Sequence, residues 1–448
     1  MTGHGHSEPE APYHGPRFGA LAKRVHGWSW QAFPIGMGTG AVYVLLSALD
    51  PHPEWVTTVE VIFFFMNIFL FLLNISTLAL QSILYREQSL RLLFDPVKGV
   101  FVPLCVLSFA TIIIGTIQYA VPAGIIHPGF IYEIFWVYVI FAVGVCFPML
   151  MIWFNKPHDI KTFTPAWAFL IFPMMLVGVV AFNALKVIPV SDPRCIGVLL
   201  VGYVFQGLGF FMTFFYLAIY ILRIMTTGFM DGHQANGAFV ACGPPGFTAL
   251  ALINLGKQAR IILPAYNLVS PAAGEIFFAA SVMGALLLFG LAVFFFFFGI
   301  LPYWFKLHKH LSEILGCWAL TFPNVGWINT LRALGDIFGI KGFSVWHSIM
   351  TFLVCIVWLV LFSLTILAFV RGKIFLAKDA DLWRDTMGGE DAARNAAAQI
   401  APGLISENNS VHNLPYTVPN RSQYEDIEKQ QNVNPGTERA WVIEHNRI

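Results

Sequence analysis

Charge is what this sequence most conspicuously lacks. Only 11% of its 448 residues are Asp, Glu, Lys or Arg, against about 25% in an ordinary soluble domain. A soluble chain of this length would form about three domains, and so few charges could not cover their surface. The two signs nearly cancel, at a net charge of +1, so no strongly basic character points to nucleic acid. Cysteine is sparse as well: Cys105, Cys146, Cys195, Cys242, Cys317 and Cys355 are the six. None stands in a CxxC pair and most lie in apolar runs, so neither a disulfide framework nor a cysteine metal site is implied. His4 and His6 alone are a weak metal signal, and neither a metal nor another cofactor is expected. Residues 1–27 contain no apolar stretch of the kind a signal peptide needs. HExxH, GxSxG and paired carboxylates on one helix face are all missing. Catalysis therefore has no candidate residues, and an enzyme is not expected.

What is there is apolar. Hydrophobic residues make up 57% of the chain, with 43 Phe, and the mean hydropathy is +0.68. These values imply an all-α polytopic membrane protein. Apolar runs near span length occur at 28–46, 55–80, 100–121, 131–154, 165–187, 195–225, 238–255, 275–300, 314–334 and 345–370. The expected organisation is a cytosolic segment 1–27, a ten-helix membrane domain 28–372, and a cytosolic, largely disordered tail 373–448 with a short helix around 380–400. Counting Lys and Arg up to Lys378, one side carries fourteen and the other six. The excess marks the cytosolic side and puts both termini there.

Proline is periodic. Pro34, Pro103, Pro173, the pair Pro244 and Pro245, and Pro323 fall in the odd spans, with successive separations of 69, 70, 71 and 79 residues. That period is one helical hairpin with its connections, so five hairpins give ten spans. Proline kinks a helix, and the freed backbone needs protein or water around it. The odd spans are therefore expected to form an inner set. The even spans, smoother and richer in Phe as at Phe294–Phe298, suit an outer ring facing lipid.

The inner spans suggest a path. Glycines flank the prolines and allow close packing or open space. Thr39, Thr111, Thr116, Thr248 and Thr321 supply hydroxyls. Phe33, Phe172 and Phe322 each precede a proline. Rings on related kinks meet near one axis, where an apolar constriction blocks ions by dewetting; ordinary packing accounts for the same residue type. Carboxylates within the spans are Glu60, Glu133 and Glu275, each near an outer end, whereas Lys186, Lys257, Arg260 and Arg332 put cations near outer ends of inner spans. An outer mouth of positive potential attracts anions. Arg332 has Asp336 as an i,i+4 partner. Lys257 and Arg260 meet no acidic residue before Glu275 and are the better anion candidates.

Several runs resemble the tellurite-resistance/dicarboxylate transporter family, within the slow anion channel superfamily. They are Trp28-Ser29-Trp30 with Gly36-Met37-Gly38-Thr39-Gly40, Pro165-Ala166-Trp167 with Phe172-Pro173, Phe205-Gln206-Gly207-Leu208-Gly209-Phe210, Gly243-Pro244-Pro245-Gly246-Phe247 with Leu250-Ala251-Leu252-Ile253-Asn254, and Cys317-Trp318 with Phe322-Pro323-Asn324-Val325-Gly326 and Asn329. The likeness covers about residues 20–375 and is strongest to the family's fungal malate branch. It implies five hairpins around a central pore, a Phe of the ninth span, here Phe322, occluding it, anion transport, and a homotrimer in the plasma membrane. Phe33 and Phe172 are carried as related gate positions. Lys257, Arg260, Thr39, Thr248, Asn254, Thr321 and Asn324 are carried as pore or binding candidates. The expected substrate is a C4-dicarboxylate, malate or succinate, with coupling to protons left open. A sulfite efflux pump, or another small-anion channel of the same fold, is the competing expectation.

Overall fold

The computed structural model describes residues 17–49, 51–230, 235, 237–306 and 311–386. In chain order its main helices are α1 (Ala20–Gly27), α2 (Phe33–Leu46), α3 (Glu54–Leu84), α4 (Arg86–Phe94), α5 (Leu104–Gly115), α6 (Pro128–Phe154), α7 (Phe172–Ala184), α8 (Arg194–Thr227), α9 (Gly243–Ala265), α10 (Ala273–Lys306), α11 (Phe322–Phe338), α12 (Lys341–Val370) and α13 (Asp379–Thr386). No strand occurs among the described residues.

The repeat prolines start helices instead of kinking them. Pro34, Pro173, Pro244 and Pro323 sit in the first turns of α2, α7, α9 and α11, and Pro103 caps α5. Each of these five helices follows a short 3-10 segment: Trp30–Ala32, Gly99–Phe101, Pro165–Leu170, Gly237–Cys242 and Trp318–Leu320. A proline costs little there, because the first N–H groups of an α-helix have no intrahelical partner anyway. The expected mid-span kink is thus a change of helix type at a proline. Prolines inside α-helices include Pro148 and Pro264 instead.

Burial separates two layers. All thirteen residues of α7 are buried. The apolar window of the segment ending in α9 is 89% buried and that of the segment containing α5 is 67%, against 22% for α3, 39% for α6 and α8, 22% for α10 and 28% for α12. The exposed share of the second group is rich in Phe, Leu, Ile, Val and Met, a surface suited to lipid. Among the described residues seven segments are long and apolar enough to cross a bilayer; α2, α7 and α11 are shorter α-helices, each lengthened at its start by a 3-10 turn. Helix α2 packs on α5, α5 on α7, α7 on α9, α9 on α11, and α11 back on α2. Each of these also packs on the long helix that follows it.

The two ends of the described chain meet on one face. Lys23 of α1 pairs with Asp379 at 2.6 Å, and His26 pairs with Asp385 at 2.7 Å. Arg91 of α4 also bonds the Asp385 carboxylate. Leu382 is buried against Val25 and Tyr85. Residues 373–386, placed by sequence in a largely disordered tail, are therefore partly folded onto α1. The rest of the helix expected at 380–400, the rest of the tail, and His4 and His6 lie outside the described residues.

Candidate functional site

Two cavities open within the ring of α2, α5, α7, α9 and α11, and the Phe322 ring lines both. The larger, of about 290 Å³, lies among the C-terminal halves of the five helices. The smaller, of about 130 Å³, lies among their starts and the 3-10 segments before them. Phe322 is only 5% exposed and forms part of the shared wall.

The linings differ in chemistry. Pro34, Val97, Phe172 and Trp318 are typical of the smaller cavity, whose side-chain hydroxyls are those of Thr162 and Thr164. Among the described residues no charged side chain lines it. The larger cavity holds Asn183, Asn254 and Asn329 with Lys186, Lys257 and Arg332. Its carboxylate, Asp336, pairs with Arg332 at 3.0 Å one helical turn away, as the spacing in sequence led one to expect. Lys186 Nζ donates to Asn183 Oδ1 at 2.8 Å. Among the described residues no carboxylate pairs with Lys186 or Lys257. The larger cavity can therefore concentrate anions, and the smaller one offers them little.

The sequence candidates scatter. Lys257 and Asn254 line the larger cavity. Arg260 does not: its Nε donates to Glu275 at 2.6 Å, because α10 brings that carboxylate back beside the end of α9. Thr39 donates to Ile35 O at 2.8 Å and accepts from Trp358 Nε1 at 3.1 Å. Thr248 accepts from Gln206 Nε2 at 2.8 Å, and Thr321 donates to Trp318 O at 2.7 Å. Asn324 donates to Leu320 O at 2.8 Å and accepts from Trp327 Nε1 at 2.8 Å. These four are committed to helix contacts and line neither cavity. Phe172 lines the smaller cavity only. Phe33 lines neither and is fully buried, with its ring stacked 6.1 Å from that of Trp30.

Sequence reasoning passed over Asn183, quoted Asn329 only within a family motif, and put Lys186 and Arg332 at the outer mouth without carrying them as binding candidates. The signal that could have found Asn183 and Lys186 is spacing within the proline repeat. Asn183 stands ten residues after Pro173, and Asn254 ten after Pro244.

Comparison with known proteins agrees with this architecture. Residues 27–366 match the voltage-dependent anion channel (SLAC1) family. The malic acid transport protein of Schizosaccharomyces pombe is 29% identical over 366 residues, covering 81% of this chain and 83% of that protein. The sulfite efflux pump SSU1 of Arthroderma otae is 27% identical over 366 residues, covering 80% and 93%. An uncharacterized transporter of Methanocaldococcus jannaschii is 24% identical over 371 residues, covering 78% and 96%. With a buried ring of helices, a lipid-suited outer layer and a family match over most of its length, this chain belongs to the voltage-dependent anion channel family and is a membrane transporter or channel for anions, not an enzyme.

Proposed function

We propose that the protein carries C4-dicarboxylate anions, malate and succinate, through a central pore of the plasma membrane. Ten crossings arranged as five hairpins surround that pore, with Phe322 as its gate and both termini in the cytosol. The protein works as a homotrimer. The carrying observation is the position of Phe322, shared by a cationic cavity and an apolar one. Anions gather at the cationic cavity, which opens to the outside, and cross an apolar constriction whose width the ring sets. Docking of α13 on α1 supports a common side for the termini. The relative named for malic acid transport supports the substrate.

A second reading, sulfite efflux, is favoured by relatives of that name at 25–27% identity over 80% of this chain. Flux of labelled malate, succinate and sulfite in proteoliposomes, with pH and voltage gradients imposed, separates the two. Saturable malate and succinate flux is the expected outcome. Sulfite flux without dicarboxylate flux establishes the second reading instead.

A further inference from the structure

Three of the five ring helices carry the same short pattern at the larger cavity. It reads Asn183-Ala184-Leu185-Lys186 at the end of α7, Asn254-Leu255-Gly256-Lys257 in α9, and Asn329-Thr330-Leu331-Arg332 in α11. An i,i+3 spacing puts an amide and a cation on one face of a helix, and all six side chains line the cavity. The first two patterns occupy the same place in the repeat. Each begins ten residues after its proline and ends thirteen after it. The third begins six residues after Pro323, four residues earlier in the repeat, which sets it about 6 Å deeper toward Phe322.

The three arms are not equal in charge. Arg332 is paired with Asp336, which stands thirteen residues after Pro323, where the other two arms have lysine. That arm is close to neutral. The lysines of the other two arms end at the same place in the repeat, thirteen residues after their prolines, and face the same cavity. Asn183 holds Lys186 through its side-chain oxygen at 2.8 Å. Two like charges facing one cavity repel, and an anion that reaches both relieves that repulsion. A lysine ammonium meets a carboxylate as a point charge through charge-assisted hydrogen bonds.

We infer that Lys186 and Lys257, each on its own asparagine arm, form a two-point site that takes one carboxylate of a C4-dicarboxylate apiece, with the Arg332–Asp336 arm as its floor. This deepens the dicarboxylate reading and rests on it. Once one carboxylate is held, the second meets its lysine at high effective concentration, so the two-headed anion is preferred over a one-headed anion of the same backbone. Asn329 completes the floor: its Nδ2 lies 3.4 Å from Val44 O, and its Oδ1 bonds His347 Nε2 at 3.1 Å.

The test compares succinate with monomethyl succinate, which has the same carbon backbone and one carboxylate. Initial flux into proteoliposomes is measured near pH 7, where every free carboxylate is ionised. The wild-type KM for succinate is expected to be lower by roughly tenfold or more, the scale of one charged hydrogen-bonded contact. In Lys186→Gln, and separately in Lys257→Gln, that ratio falls toward one with little change in kcat. Lys186→Arg keeps the ratio. Arg194→Gln, at an exposed ion pair with Asp192, leaves it unchanged. Size-exclusion profiles check assembly, and either lysine variant alone suffices if the other fails to fold. A ratio preserved in a folded lysine variant overturns the two-point site while the dicarboxylate reading stands. Absence of wild-type flux for malate and succinate overturns that reading, and the site with it.

Discussion

The Phe322 ring lies stacked on that of Phe247, with centroids 5.0 Å apart and planes 28° from parallel. The stack exists because α9 and α11 approach with only glycine between their backbones. A Cβ on Gly246 would lie 2.7 Å from Trp327 N, and one on Gly326 would lie 2.6 Å from Gly246 C. Offset-stacked aromatic pairs contribute about 0.5–1.5 kcal/mol beyond burial. In the proposed gate, moving Phe322 aside separates it from Phe247, and that sets a cost for opening.

Removing the ring should lower this barrier. Phe322→Ala is expected to raise dicarboxylate flux about tenfold, equivalent to about 1.4 kcal/mol, and to admit small inorganic anions. Phe322→Leu should fall between the two. Flux into proteoliposomes at matched protein content measures it, and unchanged flux in Phe322→Ala removes the gate.

The glycine contact supports a separate expectation about stability. Gly326→Ala puts a methyl group against backbone atoms of α9, which no rotamer change can relieve. Overpacking of this kind costs about 1–3 kcal/mol. The variant should show a lower thermal midpoint in detergent and fewer intact particles by size exclusion. Gly207→Ala, at a position with open space around it, serves as the reference and should unfold as the wild type does.

Some of this was legible in the sequence and some was not, for physical reasons. Hydropathy and proline spacing pointed to the five ring helices, because a membrane segment must be apolar and a proline resists the helix interior. The same proline does not reveal which side of itself is α-helical, so a helix start reads as a kink. Arg260 was preferred because no carboxylate lies near it in sequence, yet Glu275, 15 residues on, folds back to it. Distance along the chain says little once a helix turns back. Arg332 was read as half of a pair with Asp336, and the pair is there; its place on the cavity wall was hidden. Lys186 lies just past the end of α7, where a loop cation carries no signal of its own. Thr39, Thr248 and Thr321 carry the right chemistry for a path, but hydroxyls buried between helices are equally suited to bonding a neighbouring backbone.

Charge at the larger cavity should show itself through ionic strength. Lys257→Ala is expected to raise the apparent KM for malate, and to raise it more at low salt. The screening length is about 30 Å at 0.01 M and about 8 Å at 0.15 M, so attraction from the open cavity fades as salt rises. KM measured across a series of impermeant salt concentrations checks this. An equal effect at all concentrations indicates a dry, buried contact in place of an open vestibule.

Docking of α13 on α1 should depend on acidity. Lys23 and the Phe18 amide hold the Asp379 carboxyl below the usual carboxylate range. For Asp385 burial acts upward, but hydrogen bonds from His26 and Arg91 outweigh it and the net direction is also down. A depressed folded pKa means the contribution is present above the unfolded pKa, about 3.9 for Asp, and is lost as pH falls through the folded value. Residues 379–386 should stay protected at neutral pH and lose protection in acid below about pH 4. Hydrogen exchange, corrected for its intrinsic pH dependence, measures this. Asp385→Asn should weaken docking at neutral pH and flatten the acid response, and a response identical to wild type would show that Asp385 plays no part.

Coupling to protons follows from what faces the path. Moving a malate dianion inward against an inside-negative potential costs roughly 2.3 kcal/mol per charge per 100 mV. A passive pore therefore favours its exit, and entry becomes feasible when a monoanion carries its own proton in acid medium. Among the described residues the two cavities are lined by one carboxylate, Asp336, which is paired with Arg332, and by no histidine. His347 is fully buried behind Asn329, and His26 is bonded to Asp385 beside α1 and α13. Glu60, bonded to Tyr119 at 3.1 Å, is also buried away from both cavities. Among the described residues the path carries no relay of carboxylates or histidines, only the cations Lys186, Lys257 and Arg332 and the paired Asp336, so the pH dependence of flux should follow the substrate's protonation. The check is to record flux against pH for two dicarboxylates with well-separated pKa values. Two profiles displaced by that separation are the expected result. One profile common to both would mean that a protein group sets the proton step, and Glu60→Gln, His347→Gln and His26→Gln would then identify which.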